Sequence, residues 1–236
     1  MRTTALLLPI LVLSLVSCGG DNGSTSSTSP TTTTTNGPAN TATASNDRDQ
    51  WQGSGEIFTA MGGVGGRTVA DLFAGDGYMT FKLIEAGANV IAIDTDPKKL
   101  EAIEERKKAA GLSDERLRTR LTQAGEPGIT GEEADMALCM HQWMYINDRL
   151  SFFTKLRSGL KKPKTVGIVE FLPEPTPVGP PVEQRTSAEQ VMNDLDQPGF
   201  TDVTGLTKKI PYQFIVVAQD YDPGPMTDAD LQQQSQ

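Results

Sequence analysis

Two aspartates in the first half of the chain could bind the polar groups of a nucleoside. Asp71 lies in an apolar segment, shortly before a turn that contains Gly75 and Gly77. Asp94 closes the next apolar segment. Glycine lets the backbone approach a ligand closely, and a carboxylate at a strand end can accept hydrogen bonds from both ribose hydroxyls. The spacing therefore predicts a nucleoside site at this turn.

The segments around these aspartates have the pattern of a strand, a turn, a helix and a second strand. Residues 68–73 and 89–93 are short apolar runs, and Met79, Leu83 and Ala86 recur at helical spacing between them. A short buried strand followed by a tight glycine turn and a helix is typical of a mononucleotide-binding βαβ unit. This unit must position both carboxylates.

Two ligand classes fit such a unit. A dinucleotide site has the pattern G-x-G-x-x-G, with amides at the helix start that hold a pyrophosphate. Here Thr80 occupies the third glycine position, and the nearby Asp71 would repel a pyrophosphate. The same aspartate suits a ligand that carries an ammonium and a sulfonium. A nicotinamide enzyme is therefore disfavoured, and no residues remain for a second mononucleotide half.

The rest of the chain predicts an α/β fold. Further strands are expected at 117–122, 135–140 and 165–171, and helices at 55–61, 98–110, 147–158 and 187–195. Strands that alternate with helices form a parallel sheet with helices on both faces. The last two strands, 200–206 and 212–218, have no helix between them and must pair as an antiparallel hairpin. We expect a Rossmann-like, mostly parallel sheet that ends in this hairpin.

The pattern D-x-x-x-G-x-G, with an acid that closes the next strand, resembles the first two motifs of class I S-adenosylmethionine-dependent methyltransferases. A parallel sheet completed by a hairpin is also the arrangement of that family. The resemblance implies that Gly75 and Gly77 contact the methionine part, Asp71 steers its ammonium group and Asp94 holds the ribose. It further implies three cofactor-site residues at the neighbouring strand ends: Ala74, Thr95 and, near the adenine, Glu126.

Residues 48–219 more closely resemble exported methyltransferase-like proteins of bacteria. The shared features are Trp51 before the first strand, the segment V-A-D-x-x-A-G-x-G-Y-x-T at the turn, and G-P-P followed by Arg185. The chain departs from that pattern in two places. Met144 and Tyr145 stand where the family often has a His-His pair, and Gln184 stands where a histidine precedes the late arginine. Because this chain lacks those histidines, a mechanism that depends on them is not expected here.

Several polar and aromatic residues could serve the methyl acceptor. His141, the one histidine of the chain, follows the fourth predicted strand and could be a general base or a hydrogen-bonded structural residue. Trp143 and Tyr145 could line an acceptor pocket or pack in the core. Glu170 closes the fifth strand, and Arg185 could hold an acidic substrate or pair with Glu170. Methyl transfer chiefly requires that the reacting atoms are placed about 3 Å apart without water.

The N-terminus has the features of a bacterial export signal. Residues 1–17 combine one arginine with a short apolar core, and residues 15–18 resemble a lipobox, which implies cleavage before Cys18 and lipid attachment to it. We expect a flexible tether at 18–46, a methyltransferase-like domain at 47–219 and a solvated tail at 220–236. We therefore predict that the mature protein is a lipoprotein on the periplasmic or cell-surface side of a bacterial membrane.

Charge and cysteine content limit the other partners. The net charge of −9 argues against nucleic acid, because phosphate binding requires a basic surface. If Cys18 carries lipid, Cys139 has no cysteine partner, so neither an intrachain disulfide nor a cysteine metal site is expected. We expect a small-molecule substrate and no metal.

Export conflicts with the expected cofactor, because S-adenosylmethionine is made and used inside the cytoplasm. Two functions are consistent with the sequence. The first is a lipid-anchored methyltransferase that acts on a small molecule. The second is a non-catalytic lipoprotein that binds a nucleoside on the same fold.

Overall fold

The computed structural model describes residues 48–220. The predicted leader, the lipidation site Cys18, the tether and residues 221–236 of the predicted tail lie outside this range. Asp220, the first residue of that tail, accepts hydrogen bonds from Arg157 at 2.9 and 2.8 Å. Among the described residues, no helix is long and apolar enough to cross a bilayer.

A seven-stranded mixed sheet forms the centre of the domain, in the order β3-β2-β1-β4-β5-β7-β6. The strands are β1 (Thr68–Leu72), β2 (Asn89–Asp94), β3 (Leu117–Leu121), β4 (Ala134–Met140), β5 (Leu160–Phe171), β6 (Asp202–Ile210) and β7 (Gln213–Gln219). The first five strands pair in parallel, whereas β7 runs antiparallel to both β5 and β6. This topology confirms the predicted Rossmann-like sheet with a C-terminal antiparallel hairpin.

Among residues 48–220, α-helices that flank the sheet are α1 (Ser54–Ala60), α2 (Tyr78–Glu85), α3 (Pro97–Ala109), α4 (Arg149–Gly159) and α5 (Ala188–Asp196). Their starts follow local chemistry, because a side chain before the helix can accept an unpaired amide of the first turn. The Asp96 carboxylate accepts from Lys98 N at 2.9 Å, and the Asp148 carboxylate accepts from Ser151 N at 3.0 Å. Pro97 at the first position of α3 fits the same rule.

The apolar residues divide between the two faces of the sheet. Helices α4 and α5 contribute Phe153 and Leu195 to one buried cluster, together with Ala70 of β1. Helices α1, α2 and α3 form the other, which includes Val69 and Ile103. Successive residues of a strand point to opposite faces, so β1 supplies both clusters. The helices therefore cover both faces, as predicted.

Two strands are longer than the sequence patterns suggested. The predicted strand at 165–171 begins at Leu160, because Leu160 pairs with Ala134 across an irregularity in the ladder. The predicted strand at 200–206 instead occupies Asp202–Ile210. Lysines interrupt the apolar pattern in both extensions, and β6 lies at the edge of the sheet, where polar side chains face solvent.

The carboxyl ends of the parallel strands place several loops at one edge of the sheet. These are the turn after β1, the end of β2, the loop after β4 and the proline-rich segment 172–185 after β5. Strand β7 runs in the opposite direction, so its first residue, Gln213, lies opposite Phe171 at the end of β5. The hairpin thus brings a late segment of the chain to the same edge.

Candidate cofactor and acceptor site

The turn after β1 depends on backbone conformations that favour glycine. Gly75 has φ of 59° and Gly77 has φ of 77°, both in the left-handed region. A Cβ atom on Gly77 would lie 2.8 Å from Ile103 Cγ1, so both conformation and space require glycine there. Phe73 also has a positive φ, 58°, although it carries a full side chain. Such a position is retained when the surrounding structure over-determines it.

Asp94 lies directly beneath this turn. Its carboxylate is buried; Oδ2 accepts from Gly75 N at 2.9 Å and Oδ1 accepts from Asp96 N at 2.9 Å. Lys99 Nζ is 3.7 Å from Oδ1. A carboxylate has about four lone-pair sites, so each oxygen can accept a further hydrogen bond. Asp94 can therefore support the turn and still accept ribose hydroxyls, whereas the neighbouring Thr95 is exposed.

Asp71 is the second carboxylate of the site. It is 4% exposed, and its Oδ2 accepts a hydrogen bond from Thr80 Oγ1 at 2.5 Å. Burial raises the pKa of Asp71 to about 7, and the nearby charges of Asp76 and Asp94 act in the same direction. A positively charged ligand group beside it would favour the ionised form. Thr80 occupies the position of the third glycine in the dinucleotide pattern, and its hydroxyl holds this carboxylate in place.

Two neighbouring cavities open at this edge. The larger has a volume of about 170 Å³. It is lined by the turn and its surroundings: Arg48, Gln52, Asp71, Leu72, Phe73, Ala74, Gly75, Asp76, Met79, Met140, His141 and Gln142. The smaller is only about 10 Å³ and is lined by Leu72, Phe73, Ile93, Asp94, Thr122, Glu126, Pro127 and Phe152. Leu72 and Phe73 line both cavities.

These donors and acceptors fit S-adenosylmethionine. Carboxylates suit its ammonium group and its ribose hydroxyls, while Phe73, Ile93 and Phe152 offer apolar contacts for a purine. The smaller cavity cannot hold an adenine ring at its present volume, so its lining must move for the nucleoside to bind. Glu126 lines the smaller cavity, and its carboxylate forms an ion pair with Lys155 at 2.5 Å.

His141 also lines the larger cavity and is half-buried. Its backbone has φ of 56°, and its N–H donates to Val169 O at 2.8 Å. Its ring stacks on Phe171, with 4.3 Å between centroids, and lies 6.2 Å from the Trp51 ring. Burial lowers the pKa of His141 to about 4. The imidazole is therefore neutral at physiological pH.

Glu170 and the two aromatic candidates have different surroundings. Trp143 is 1% exposed and packs against Phe153 in the core, whereas the Tyr145 side chain is 64% exposed. Of the two alternatives that the sequence left open for Trp143, the structure shows core packing. Glu170 is buried and accepts from Trp143 N at 2.9 Å, and burial raises the pKa of Glu170 to about 7. Glu170 therefore anchors the loop that carries His141.

Arg185 organises the proline-rich segment 172–185. Its guanidinium donates to five groups of that segment at 2.8 to 3.3 Å: the carbonyls of Leu172, Glu174, Val178 and Pro180, and Thr176 Oγ1. It also lies over the Phe171 ring, 5.4 Å from its centroid. A pair with Glu170 was one of the alternatives that the sequence left open for Arg185. In the structure, the described contacts of Arg185 hold the segment 172–185 instead.

Three residues that the sequence interpretation did not assign to the site belong to it. Arg48 lines the larger cavity and pairs with Asp76 at 2.6 Å, and Gln52 accepts from Arg48 Nε at 3.0 Å. Gln213 hydrogen bonds to His141 at 2.7 Å. Single polar residues in separate segments have no spacing pattern, so the sequence alone carries no signal for them. Among residues 48–220, no group of three or more His, Cys, Asp or Glu could hold a metal ion.

Residues 69–163 match the family model of the methyltransferase domain. A comparison with curated proteins found no match. Among solved structures, the fold is similar to a SAM-dependent methyltransferase from Aquifex aeolicus, with a TM-score of 0.67 and 20% identity over 75% of this chain and 93% of that chain. It is also similar to an S-adenosylmethionine-dependent methyltransferase from Mesorhizobium loti, with a TM-score of 0.54 and 16% identity over 70% and 97%.

A third similar structure is a possible exported protein from Bordetella parapertussis, with a TM-score of 0.57 and 16% identity over 72% of this chain and 68% of that chain. These similarities agree with the predicted class I methyltransferase fold. The chain thus has a Rossmann-like fold similar to that of S-adenosylmethionine-dependent methyltransferases, and its residues 69–163 match the methyltransferase domain.

Proposed function

We propose that this protein transfers a methyl group from S-adenosylmethionine to a small-molecule acceptor, as an exported protein anchored by lipid at Cys18. The observation that carries the proposal is the placement of two buried carboxylates, Asp71 and Asp94, around one glycine turn. Both lie beside cavities at the carboxyl edge of the sheet, where open α/β sheets bind ligands.

The cofactor would be oriented by these groups. Asp94 would accept the ribose hydroxyls with its free lone pairs, and Asp71 would attract the ammonium group of the methionine part. Gly75 and Gly77 would let that part approach the backbone, and Ala74 lines the same cavity. Phe73, shared by both cavities, would separate the nucleoside end from the methionine end. Glu126 would lie at the edge of the nucleoside end and keep its ion pair with Lys155.

When bound, S-adenosylmethionine supplies an electrophilic methyl group on a sulfonium. The acceptor enters from the side of the larger cavity lined by His141, Met140 and Gln142. His141, which is neutral, would accept the proton that the acceptor loses when it takes the methyl group. The loop held by Arg185 covers Phe171 and helps to exclude water from this side.

Export is supported by the leader at 1–17 and the lipobox-like residues before Cys18. The fold shared with the possible exported protein from Bordetella parapertussis is consistent with it. The same leader favours a second candidate, a lipoprotein that binds a nucleoside without catalysis, because the cofactor is made in the cytoplasm. The two candidates share the binding site and differ in turnover.

A two-stage experiment tests the proposal. Isothermal calorimetry on the full chain should show S-adenosylmethionine binding in the micromolar range. The complex is then incubated with a panel of hydroxyl, amine and thiol compounds, and formation of S-adenosylhomocysteine is measured. Turnover with any acceptor supports the methyltransferase, and retention of ligand without turnover over the whole panel supports the binding lipoprotein. Absence of binding would reject both.

The anchor is tested separately. Expression in a bacterial host followed by mass spectrometry of the N-terminal peptide should show a lipid-modified Cys18, and Cys18→Ser should release the protein from the membrane fraction. An unmodified Cys18 in a chain that retains residues 1–17 would contradict the anchored form.

A further inference from the structure

We propose that Gln213 is a positioning residue that fixes His141 in one tautomer, so that Nδ1 is the atom that takes the acceptor's proton. The inference rests on the proposed function for the role of the proton. The assignment of the tautomer itself depends only on contacts among residues 48–220. Strand β7, which supplies Gln213, lies outside the strands that form the cofactor turn.

The orientation of the Gln213 side chain is set by two backbone carbonyls. Gln213 is fully buried, and its Nε2 donates to Trp51 O at 2.7 Å and to Pro211 O at 3.2 Å. These bonds use both hydrogens of the amide. The reverse orientation would place the amide oxygen against two carbonyl oxygens. The Oε1 atom is therefore the one that faces His141.

An amide oxygen only accepts, and it lies 2.7 Å from His141 Nε2. Nε2 must therefore carry the hydrogen, and Nδ1 must carry the lone pair. Nδ1 has no hydrogen-bond partner among the described contacts, and it is not one of the buried polar atoms without a partner. It is therefore not fully buried, and it belongs to a residue that lines the larger cavity.

The ring cannot readily exchange its two nitrogens. His141 is held by stacking on Phe171, by the neighbouring Trp51 ring and by its backbone bond to Val169. Trp51 has two roles in this arrangement, because its carbonyl orients Gln213 while its ring packs near His141. When Nδ1 takes a proton, the Nε2–H bond to Gln213 becomes charge-assisted and stronger. The arrangement follows the general logic of a base oriented by a second group.

The charged surroundings of His141 are few. Arg48, from the segment before α1, acts on it and lowers its pKa. Asp71, from β1, and Asp76, which pairs with Arg48, line the same cavity. The groups packed on the ring from β5 and β7, Phe171 and Gln213, are uncharged. A shift of the His141 titration in a Gln213 variant would therefore report the lost hydrogen bond.

Nitrogen-15 NMR of the uniformly labelled full chain tests the tautomer. His141 is the one histidine in the sequence, so the imidazole signals need no further assignment. In the unmodified protein at pH 7, we expect one protonated nitrogen at Nε2 and one unprotonated nitrogen at Nδ1. Dominance of the Nδ1–H form, or a mixture of both, would overturn the proposal without any variant.

Gln213→Met removes the acceptor at similar side-chain volume. We expect the preference for the Nε2–H form to fall by about fivefold, which corresponds to the net worth of one hydrogen bond. The matched control is Gln219→Met on the same strand, because Gln219 bonds to Asp202 at 3.1 Å and not to His141. Equal tautomer ratios in both variants would overturn the positioning role.

Cofactor binding separates this inference from the proposed function. The affinity of Gln213→Met for S-adenosylmethionine should stay within about twofold of that of the unmodified protein, because Gln213 lies on β7 and not in the turn between β1 and β2. If neither protein binds the cofactor while the tautomer is as expected, the proposed function fails and the tautomer assignment stands. If both bind the cofactor and the tautomer differs from expectation, the tautomer assignment fails while the cofactor site stands. Once an acceptor is known, Gln213→Met should lower kcat with little change in the cofactor KM.

Discussion

The two halves of the site are built in contrasting ways. The cofactor half lies within β1, α2 and β2, so residues 68–94 supply the turn and both carboxylates. The acceptor half combines Trp51, His141, Phe171 and Gln213, which come from four distant segments. The order of the strands and the packing of the segment that carries Trp51 bring these residues together. One half is therefore local in sequence, and the other exists only after folding.

The halves also differ in how their polar groups are used. In the cofactor half, Asp94 retains lone pairs and Asp71 has a raised pKa, so both would respond to a positively charged nucleoside. In the acceptor half, Gln213 and Arg185 use their donors within the protein. The first half is suited to recognition, and the second is suited to holding a few groups in place. Substitutions in the two halves should therefore have separable effects.

The largest effect is expected from Asp94→Ala. This change removes the acceptor of the ribose hydroxyls and the support of Gly75 N, and charged hydrogen bonds contribute about 1.5–3 kcal/mol each. Affinity for S-adenosylmethionine in calorimetry should fall by about 100-fold. Asp96→Ala is the control, because Asp96 caps α3 on the surface. Similar losses in both variants would mean that Asp94 is not a specific ligand.

A smaller effect is expected from pH. Because the pKa of Asp71 is about 7, the carboxylate is mostly protonated at pH 6 and mostly ionised at pH 8. If the ionised form attracts the ammonium group, affinity should be about tenfold weaker at pH 6 than at pH 8. Asp71→Asn should remove this dependence and bind weakly at both values. A flat pH profile in the unmodified protein would show that Asp71 does not contact the charged group.

The same pKa has a consequence for stability. A raised folded-state pKa means that the contribution of Asp71 is full below its unfolded value and is lost as the pH rises through about 7. The free energy of unfolding should therefore decrease between about pH 4 and pH 7, and Asp71→Asn should flatten that decrease. Glu170 contributes in the same direction, since its pKa is also raised to about 7. Denaturant titrations at fixed pH values measure both.

In the acceptor half, Arg185→Met should loosen the proline-rich segment without affecting the cofactor. The change removes five hydrogen bonds within 172–185. Limited proteolysis in this segment should become about tenfold faster, as expected when local opening becomes easier by one to two kcal/mol. Cofactor affinity should stay within about twofold.

Arg116→Met is the matched control for Arg185. Arg116 also donates to backbone carbonyls, those of Ile84 and Gly87, but at the end of the sheet where β3 begins. Faster cleavage of 172–185 in this variant, or an unchanged rate in Arg185→Met, would contradict the role given to Arg185.

The smallest effect is expected from Glu126→Gln. Glu126 is an exposed side chain that pairs with Lys155, and exposed pairs contribute little. Affinity for S-adenosylmethionine should change by no more than about threefold. A loss comparable to that of Asp94→Ala would show that Glu126 holds the adenine directly and would weaken the division of the site.

The contrast between the halves explains what the sequence could predict. Strand, turn and helix signals around Asp71 and Asp94 lie within a short window, so their periodicity and glycines indicated the βαβ unit that the structure contains. The nucleoside site at its turn stays a prediction. Sheet class and the final hairpin followed from the order of elements. The starts of α3 and α4 were visible because Pro97 and Asp148 have position-specific roles.

The acceptor half could not be predicted in the same way. Gln213 begins an ordinary apolar strand, and its importance depends on an antiparallel partner that places it opposite Phe171. His141, Trp143 and Tyr145 all follow β4, but of these three only His141 lines the larger cavity. A short helical turn directs Trp143 into the core and Tyr145 to the surface. Residue types in the sequence identified the candidates, but only the packing of the folded chain determines which of them line the cavity.

The most direct test is a crystal structure of the chain with bound S-adenosylhomocysteine, the methyl-transfer product. The account predicts a ribose within hydrogen-bonding distance of Asp94, an amino group next to Asp71 and a sulfur atom that faces the cavity wall formed by His141. A ligand bound elsewhere, or one whose ribose and amino groups avoid both aspartates, would contradict it.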